Sequence, residues 1–245
     1  MPRALAIAIL LAAGCTGPQP TQATTLVGEN LVLAPGPAGA VRIGLDAANG
    51  SAEVRIEAGT GALITVCPLT SIDEPLAGLD ACRSVASGVR EGVGRSGMTA
   101  IAFYVSEREA TVSLRVEYAE GSGAIEAHIP QIGPPAGTGA CDDNACNPFF
   151  ELTPTPAGDL GVAAEWTGGE ATAVVLQGSV LARSLTATGV PYREAGRADG
   201  SSPLSVSASL TEGAEYAVAF RHRHALPSSG ALRDVVLTMR WPTSS

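Results

Sequence analysis

His222 and His224, in the run Arg-His-Arg-His, are the two residues of this 245-residue chain whose spacing best suits a metal. Alternate side chains of a strand share a face, so the two imidazoles would point the same way, as paired zinc ligands must. No third ligand is identifiable, and alternating His and Arg at a strand end reads as solvated surface. Asp142, Asp143 and Asn144 gather oxygen donors of the kind calcium takes in one loop, without the EF-hand spacing. The remaining histidine, His128, stands alone at the end of a strand-like run. Ser96, in Gly-Arg-Ser-Gly, lacks the glycine spacing of a nucleophile elbow and precedes an expected strand. No His-Glu-x-x-His, Walker loop or dinucleotide-binding glycine pattern occurs. With no nucleophile beside a base, the chain reads as a non-enzyme that needs no cofactor. Trp166 and Trp241 would suit sugar stacking if exposed, but both fall in register with core positions of strands.

The elements that would carry these residues are strands. Val41, Ile43, Leu45 and Ala47 alternate with Arg42, Gly44 and Asp46, and the segments SAEVRIEA and LTMRWP alternate likewise. A period of two marks a half-buried strand, and Asn49-Gly50, Gly168-Gly169 and Asp199-Gly200 supply turn signals between such segments. No segment sustains a 3.6-residue period with caps at both ends. Many short strands in about 105 residues suit an antiparallel β-sandwich. Charged residues make up 16% of the chain and the formal net charge is −9, which argues against nucleic acid as a partner.

Residues 1–14 carry one arginine, an apolar run too short to span a bilayer, and small residues before Cys15. The stretch resembles a bacterial lipoprotein signal peptide, with Ala12-Ala13-Gly14-Cys15 as its lipobox. That resemblance implies cleavage before Cys15, lipid on its sulfur, and an extracytoplasmic protein held on a membrane. In a Gram-negative host that membrane would be the outer one, since Thr16 follows the cysteine; otherwise the site is the cell surface. Residues 15–25, beginning Cys-Thr-Gly-Pro-Gln-Pro, read as a lipidated flexible tether. With Cys15 assigned to lipid, Cys67, Cys82, Cys141 and Cys146 remain, an even number suited to disulfides in an exported chain. Of the three possible connectivities the local one, Cys67–Cys82 with Cys141–Cys146, is the simplest. No Cys-x-x-Cys favours a metal instead.

The chain also carries an internal repeat. Pro35, Pro37, Ala38 and Gly39 fall on Pro154, Pro156, Ala157 and Gly158, and Val41, Ile43 and Leu45 fall on Leu160, Val162 and Ala164, at an offset of 119. Late in each half Phe103 lies opposite Phe220, and TVSLRVEYA (111–119) opposite DVVLTMRWP (234–242) as the closing strands. The expectation is an all-β chain of two tandem antiparallel sandwiches, jelly-roll or immunoglobulin-like, over 26–131 and 148–245, joined by a Gly/Pro-rich linker over 132–147. The leading Phe-x-Leu, the glycine turn and the late Gly213, Tyr216 and Val218 resemble the bacterial pre-peptidase C-terminal type of sandwich, a module of secreted proteins. The function that follows is a lipid-anchored binding or structural protein of the envelope that recognises a protein or polymer. The alternative is a carbohydrate-binding or calcium-dependent module at the sandwich edges.

Overall fold

Strict alternation makes the half-buried strands. In Gly158–Thr167 the residues Leu160, Val162, Ala164 and Trp166 are buried and their neighbours exposed. In Leu204–Leu210, Val206, Ala208 and Leu210 are buried between exposed serines. A computed structural model of the chain describes residues 24–33, 35–45, 52–58, 63–76, 78, 80–85, 89–93, 100–106, 110–118, 124–133, 148–153, 157–178, 193–222 and 231–241. The described residues form sixteen strands and one 3-10 turn at Pro37–Gly39. The first half holds β1 (Thr24–Leu33), β2 (Val41–Leu45), β3 (Ala52–Ala58), β4 (Ile64–Leu69), β5 (Arg83–Val85), β6 (Val89–Val93), β7 (Ala100–Val105), β8 (Ala110–Tyr118) and β9 (Ala124–Ile132). The second holds β10 (Phe149–Thr153), β11 (Gly158–Thr167), β12 (Ala171–Gln177), β13 (Arg193–Gly200), β14 (Leu204–Leu210), β15 (Tyr216–His222) and β16 (Leu232–Arg240).

These strands make two eight-stranded sheets. Sheet I runs β13-β12-β15-β10-β1-β8-β3-β6, and sheet II runs β14-β11-β16-β9-β2-β7-β4-β5. Among the described residues every pairing between neighbouring strands of the two sheets is antiparallel. Within the first half the orders 1-8-3-6 and 2-7-4-5 are those of an eight-stranded jelly roll. β9 adds a further strand beside β2. The fold is therefore all-β and built of two tandem antiparallel sandwiches of jelly-roll type.

Counted outward from the seam, the halves follow one order: β1, β8, β3, β6 against β10, β15, β12, β13, and β9, β2, β7 against β16, β11, β14. Only β4 and β5 have no counterpart among the described residues. The register fixes the equivalence residue by residue. Val41 pairs with Phe103 and Leu160 with Ala208, so the partner of Phe103 is Ala208 and not Phe220. The strand that closes the first half is β9, not the 111–119 segment, which is β8 and corresponds to β15. The Phe103–Phe220 match is a coincidence of composition, one strand out of step.

The halves lie side by side, their sheets joined by β1 on β10 and by β9 on β16. This pairing covers strands that would otherwise be open edges, a standing hazard for a sheet protein. At the β9–β16 seam the arrangement is locally two-fold: Ile125 faces Met239 and Ala127 faces Leu237. One apolar cluster runs through both halves, from Leu31, Phe103 and Ile129 to Phe150, Trp166 and Phe220. β1 begins at Thr24, two residues inside the stretch read as tether. Gly168 and Gly169 make the β11–β12 turn as expected, whereas Asp199 and Gly200 are the end of β13, and the turn follows at Ser201–Pro203.

At its far end the sandwich closes by contact between β13 and β14. A Cβ at Gly196 would lie 2.6 Å from the Ser207 carbonyl oxygen and 3.1 Å from a Val206 methyl. Only a glycine lets the two backbones approach so closely. At the β14–β15 corner the Tyr216 hydroxyl accepts a bond from the Thr211 amide at 2.9 Å and donates to the Ser209 carbonyl at 3.5 Å. A tyrosine bonded back across a corner is a device of sandwich folds.

Candidate functional site

The outer face of sheet II is where the two halves differ. In the first half the outward residues of β2, β4 and β7 include a small or apolar group, Gly44, Cys67, Leu69, Ala100 and Ala102, beside Arg42, Thr65 and Tyr104. The chain leaving β4 doubles back over them before β5. Leu76 is buried there with Cys67, Leu69, Ala100 and Ala102, and Ile72, Cys82 and Tyr104 pack against that small second core. Three ties hold this loop. Cys67 and Cys82 form a disulfide with Cα atoms 4.2 Å apart. Arg42, projecting from β2, donates from Nη1 to the carbonyls of Ile72 at 2.6 Å and Glu74 at 2.8 Å. Glu74 Oε2 in turn accepts from the Thr70 amide at 2.7 Å and its hydroxyl at 2.8 Å. Those bonds, the Thr70 amide first, hold the Glu74 carboxyl below its usual pKa. The Ile72 side chain lies over Gly44, where a Cβ would meet it at 3.2 Å.

In the second half the equivalent face is open. Gly161 and Ala163 on β11, Ser205, Ser207 and Ser209 on β14 and Arg240 on β16 are all exposed. Gly161 pairs with Ser207 on one side and Arg240 on the other, and Ala163 with Ser205 and Thr238. Nothing lies within 4 Å of the Gly161 Cβ position. Ser209 donates to Asp159 at 2.9 Å. The face continues across the seam onto β9, where His128 Nε2 lies 2.6 Å from Glu126 Oε1. With strands about 4.8 Å apart, the five strands from β14 to β2 span about 20 Å. The result is a platform floored by glycine, alanine and hydroxyls, with charged groups set into it. Ile72 and Arg42 form a wall on its first-half side.

The opposite outer face, that of sheet I in the second half, is covered instead. Phe149, Thr172, Val174, Leu176, Ala217 and Ala219 are buried there although their side chains leave the main core. Among the described residues of the second half, the broad open face is that of sheet II.

The residues singled out from the sequence fall variously. The disulfide Cys67–Cys82 is present. Cys15, Cys141, Cys146, Asp142, Asp143, Asn144, Ser96 and His224 lie outside the described residues. His222 is buried, 4% exposed, and is not solvated surface: two residues on from Phe220, it keeps that residue's parity and turns inward. His128 sits in the middle of β9 rather than at a strand end, beside Glu126 and in register with Arg42. Trp166 and Trp241 belong to the core. The Trp166 ring meets Phe220 edge-on at 5.5 Å, and its indole N–H donates to the Gly169 carbonyl at 2.7 Å. Among the described residues no group of three or more His, Cys, Asp or Glu could hold a metal ion. Sequence reasoning missed Arg42, Gly161 and Arg240. Their only signal is a polar or absent side chain at the outward position of an alternating strand.

No protein-family model and no curated protein matches the chain. Among solved structures it is similar to the N-terminal CBM22-1–CBM22-2 tandem domain of Xyn10C from Paenibacillus barcinonensis, at 6% identity and TM-score 0.24 over 91% of this chain and 80% of that one. It is also similar to a structure of infectious bursal disease virus, Gx strain, at 10% identity and TM-score 0.12 over 93% of this chain and 78% of that one. At such TM-scores neither likeness carries weight for function.

Proposed function

We propose that the chain is an exported, lipid-anchored binding protein of the bacterial envelope, and that the open outer face of sheet II in its second half is its recognition surface. The observation that carries this reading is the contrast between faces. The equivalent face of the first half is sealed by a tethered loop, and the outer face of sheet I in the second half is buried, while this one is wide and polar. The Cys67–Cys82 disulfide fits an oxidising compartment, as export requires. Cys15 carries the lipid and residues 16–23 give the sandwich reach from the membrane. The carbohydrate alternative loses its two stacking candidates, because Trp166 and Trp241 are core residues.

Two measurements test the proposal in a bacterial host expressing the full chain. Cys15→Ser is expected to move the protein from the membrane fraction to the soluble fraction; retention on the membrane contradicts lipidation. A photo-crosslinking residue at Thr238 is expected to give a discrete adduct in intact cells, and the same residue at Asp80, on the sealed side, is expected to give none. Equal adduct patterns from both positions, or none from Thr238, refute the choice of surface.

A further inference from the structure

From the pseudo-symmetry of sheet II we infer that the open face of the second half binds a turn of a partner protein through its main-chain carbonyls, as the first half binds its own 70–76 loop. The inference rests on the recognition-surface reading and names the ligand class for it.

The two faces can be superposed by register. Ile43 pairs with Ile101 and Ala127, and Val162 pairs with Val206 and Met239, so β2, β7 and β9 correspond to β11, β14 and β16 position by position. Gly44, Ala100 and Ala102, the floor under the loop, fall on Ala163, Ser205 and Ser207. Small residues are therefore kept in both copies, covered in one and furnished with hydroxyls in the other.

The guanidinium is kept too, on a different strand. Arg42 faces His128 across the β2–β9 pair; at the matching pair of the second half, Gly161 faces Arg240. Each copy thus sets one arginine beside the same small-residue floor. Arg42 is engaged by the Ile72 and Glu74 carbonyls, two residues apart on one turn. Arg240 is exposed on the open face, with clear space over Gly161 beside it. A guanidinium has several donors in a fixed fork and takes neighbouring carbonyls well, and small residues let a backbone lie close to a sheet. The first half shows the geometry such a ligand would adopt: a turn with carbonyls at i and i+2 and an aliphatic side chain at i lying on the floor. A sugar polymer would meet no exposed aromatic ring among the named residues of this floor, so a polypeptide turn fits the chemistry better.

The probe is a synthetic peptide of residues 67–82 closed by its own disulfide, added to isotope-labelled full-length protein carrying Cys15→Ser and followed by amide shifts. The peptide is expected to shift Gly161, Ala163, Ser207 and Thr238. Arg240→Ala is expected to weaken binding about tenfold, the effect of losing charge-assisted bonds at an exposed site. Gly161→Arg in the Arg240→Ala background returns a guanidinium to the place Arg42 holds and is expected to restore the affinity. Shifts indifferent to Arg240→Ala, a double variant no better than the single one, or no shift at all overturn the inference. If the Thr238 crosslink still forms in that event, the face remains a recognition surface and only the polypeptide-turn ligand is refuted.

Discussion

Removing the Cys67–Cys82 bond tests both the sealed face and the shared core. In the chain-entropy picture, closing a loop of 15 residues stabilises the folded state by about 3 kcal/mol. Cys67 is also fully buried against Ala100 and Ala102, so replacing its sulfur with the hydrogen of alanine adds about 1 kcal/mol for lost packing. Cys67→Ala/Cys82→Ala should therefore cost about 4 kcal/mol, which for a chain of this size lowers Tm by roughly 8–16 °C. The substitution is preferable to a reductant, which would also act on any bond between Cys141 and Cys146. Urea unfolding followed by tryptophan fluorescence is the informative assay, because Trp166 and Trp241 both lie in the second half while the disulfide lies in the first. One apolar cluster spans both, so the tryptophan transition should move with the full loss of stability. A midpoint shift worth less than about 1 kcal/mol, taken from the product of shift and slope, would refute the reasoning. It would mean either that the bond does not constrain the unfolded chain or that the halves unfold independently.

Gly196→Ala should cost about 2–3 kcal/mol, because its methyl would lie 2.6 Å from a backbone carbonyl that the β11–β14 ladder holds in place; an unchanged melting temperature contradicts closure by β13 on β14. Tyr216→Phe removes the acceptor of the Thr211 amide and should cost about 1–2 kcal/mol. Faster hydrogen exchange at Thr211 is the specific sign, and exchange unchanged there argues against the corner. Glu74 has its folded pKa below the unfolded value, so its contribution is present above the unfolded pKa and is lost as pH falls through the folded one. Acid should therefore loosen the Thr70–Glu74 turn, and Glu74→Gln should remove that dependence when Thr70 amide exchange is followed from neutral pH downward.

Strand type was legible in several of the strands that have one wet face. The alternation of β2 and β11 marks their inward residues without error among those whose burial is described; β11 put Trp166 in the core and the alternating LTMRWP put Trp241 there. It is silent where both faces are buried. Ala171 to Leu176 on β12 and Tyr216 to Phe220 on β15 are buried at every position, so neither shows a period of two. β9 misled in the other direction: its outward Glu126, His128 and Pro130 make AIEAHIPQI look less like a strand than β8 does, and the closing strand was sought one segment too early. Parity could have corrected His222, which continues the inward series of Val218 and Phe220; the surrounding arginines hid it.

The arginine exchange lies beyond any comparison of one copy with the other along the chain. Aligned in sequence, Arg42 meets Gly161 and His128 meets Arg240, two mismatches that each look like loss of a residue. Read across the sheet they are one substitution. Neighbouring strands bring Arg42 to His128 and Gly161 to Arg240, and a long flexible side chain covers nearly the same patch from either member of a cross-strand pair. A sheet face can thus keep a charge in place while each strand's own sequence loses it. The unit that the two halves share is the pair, and pairs of this kind become visible only when register is known.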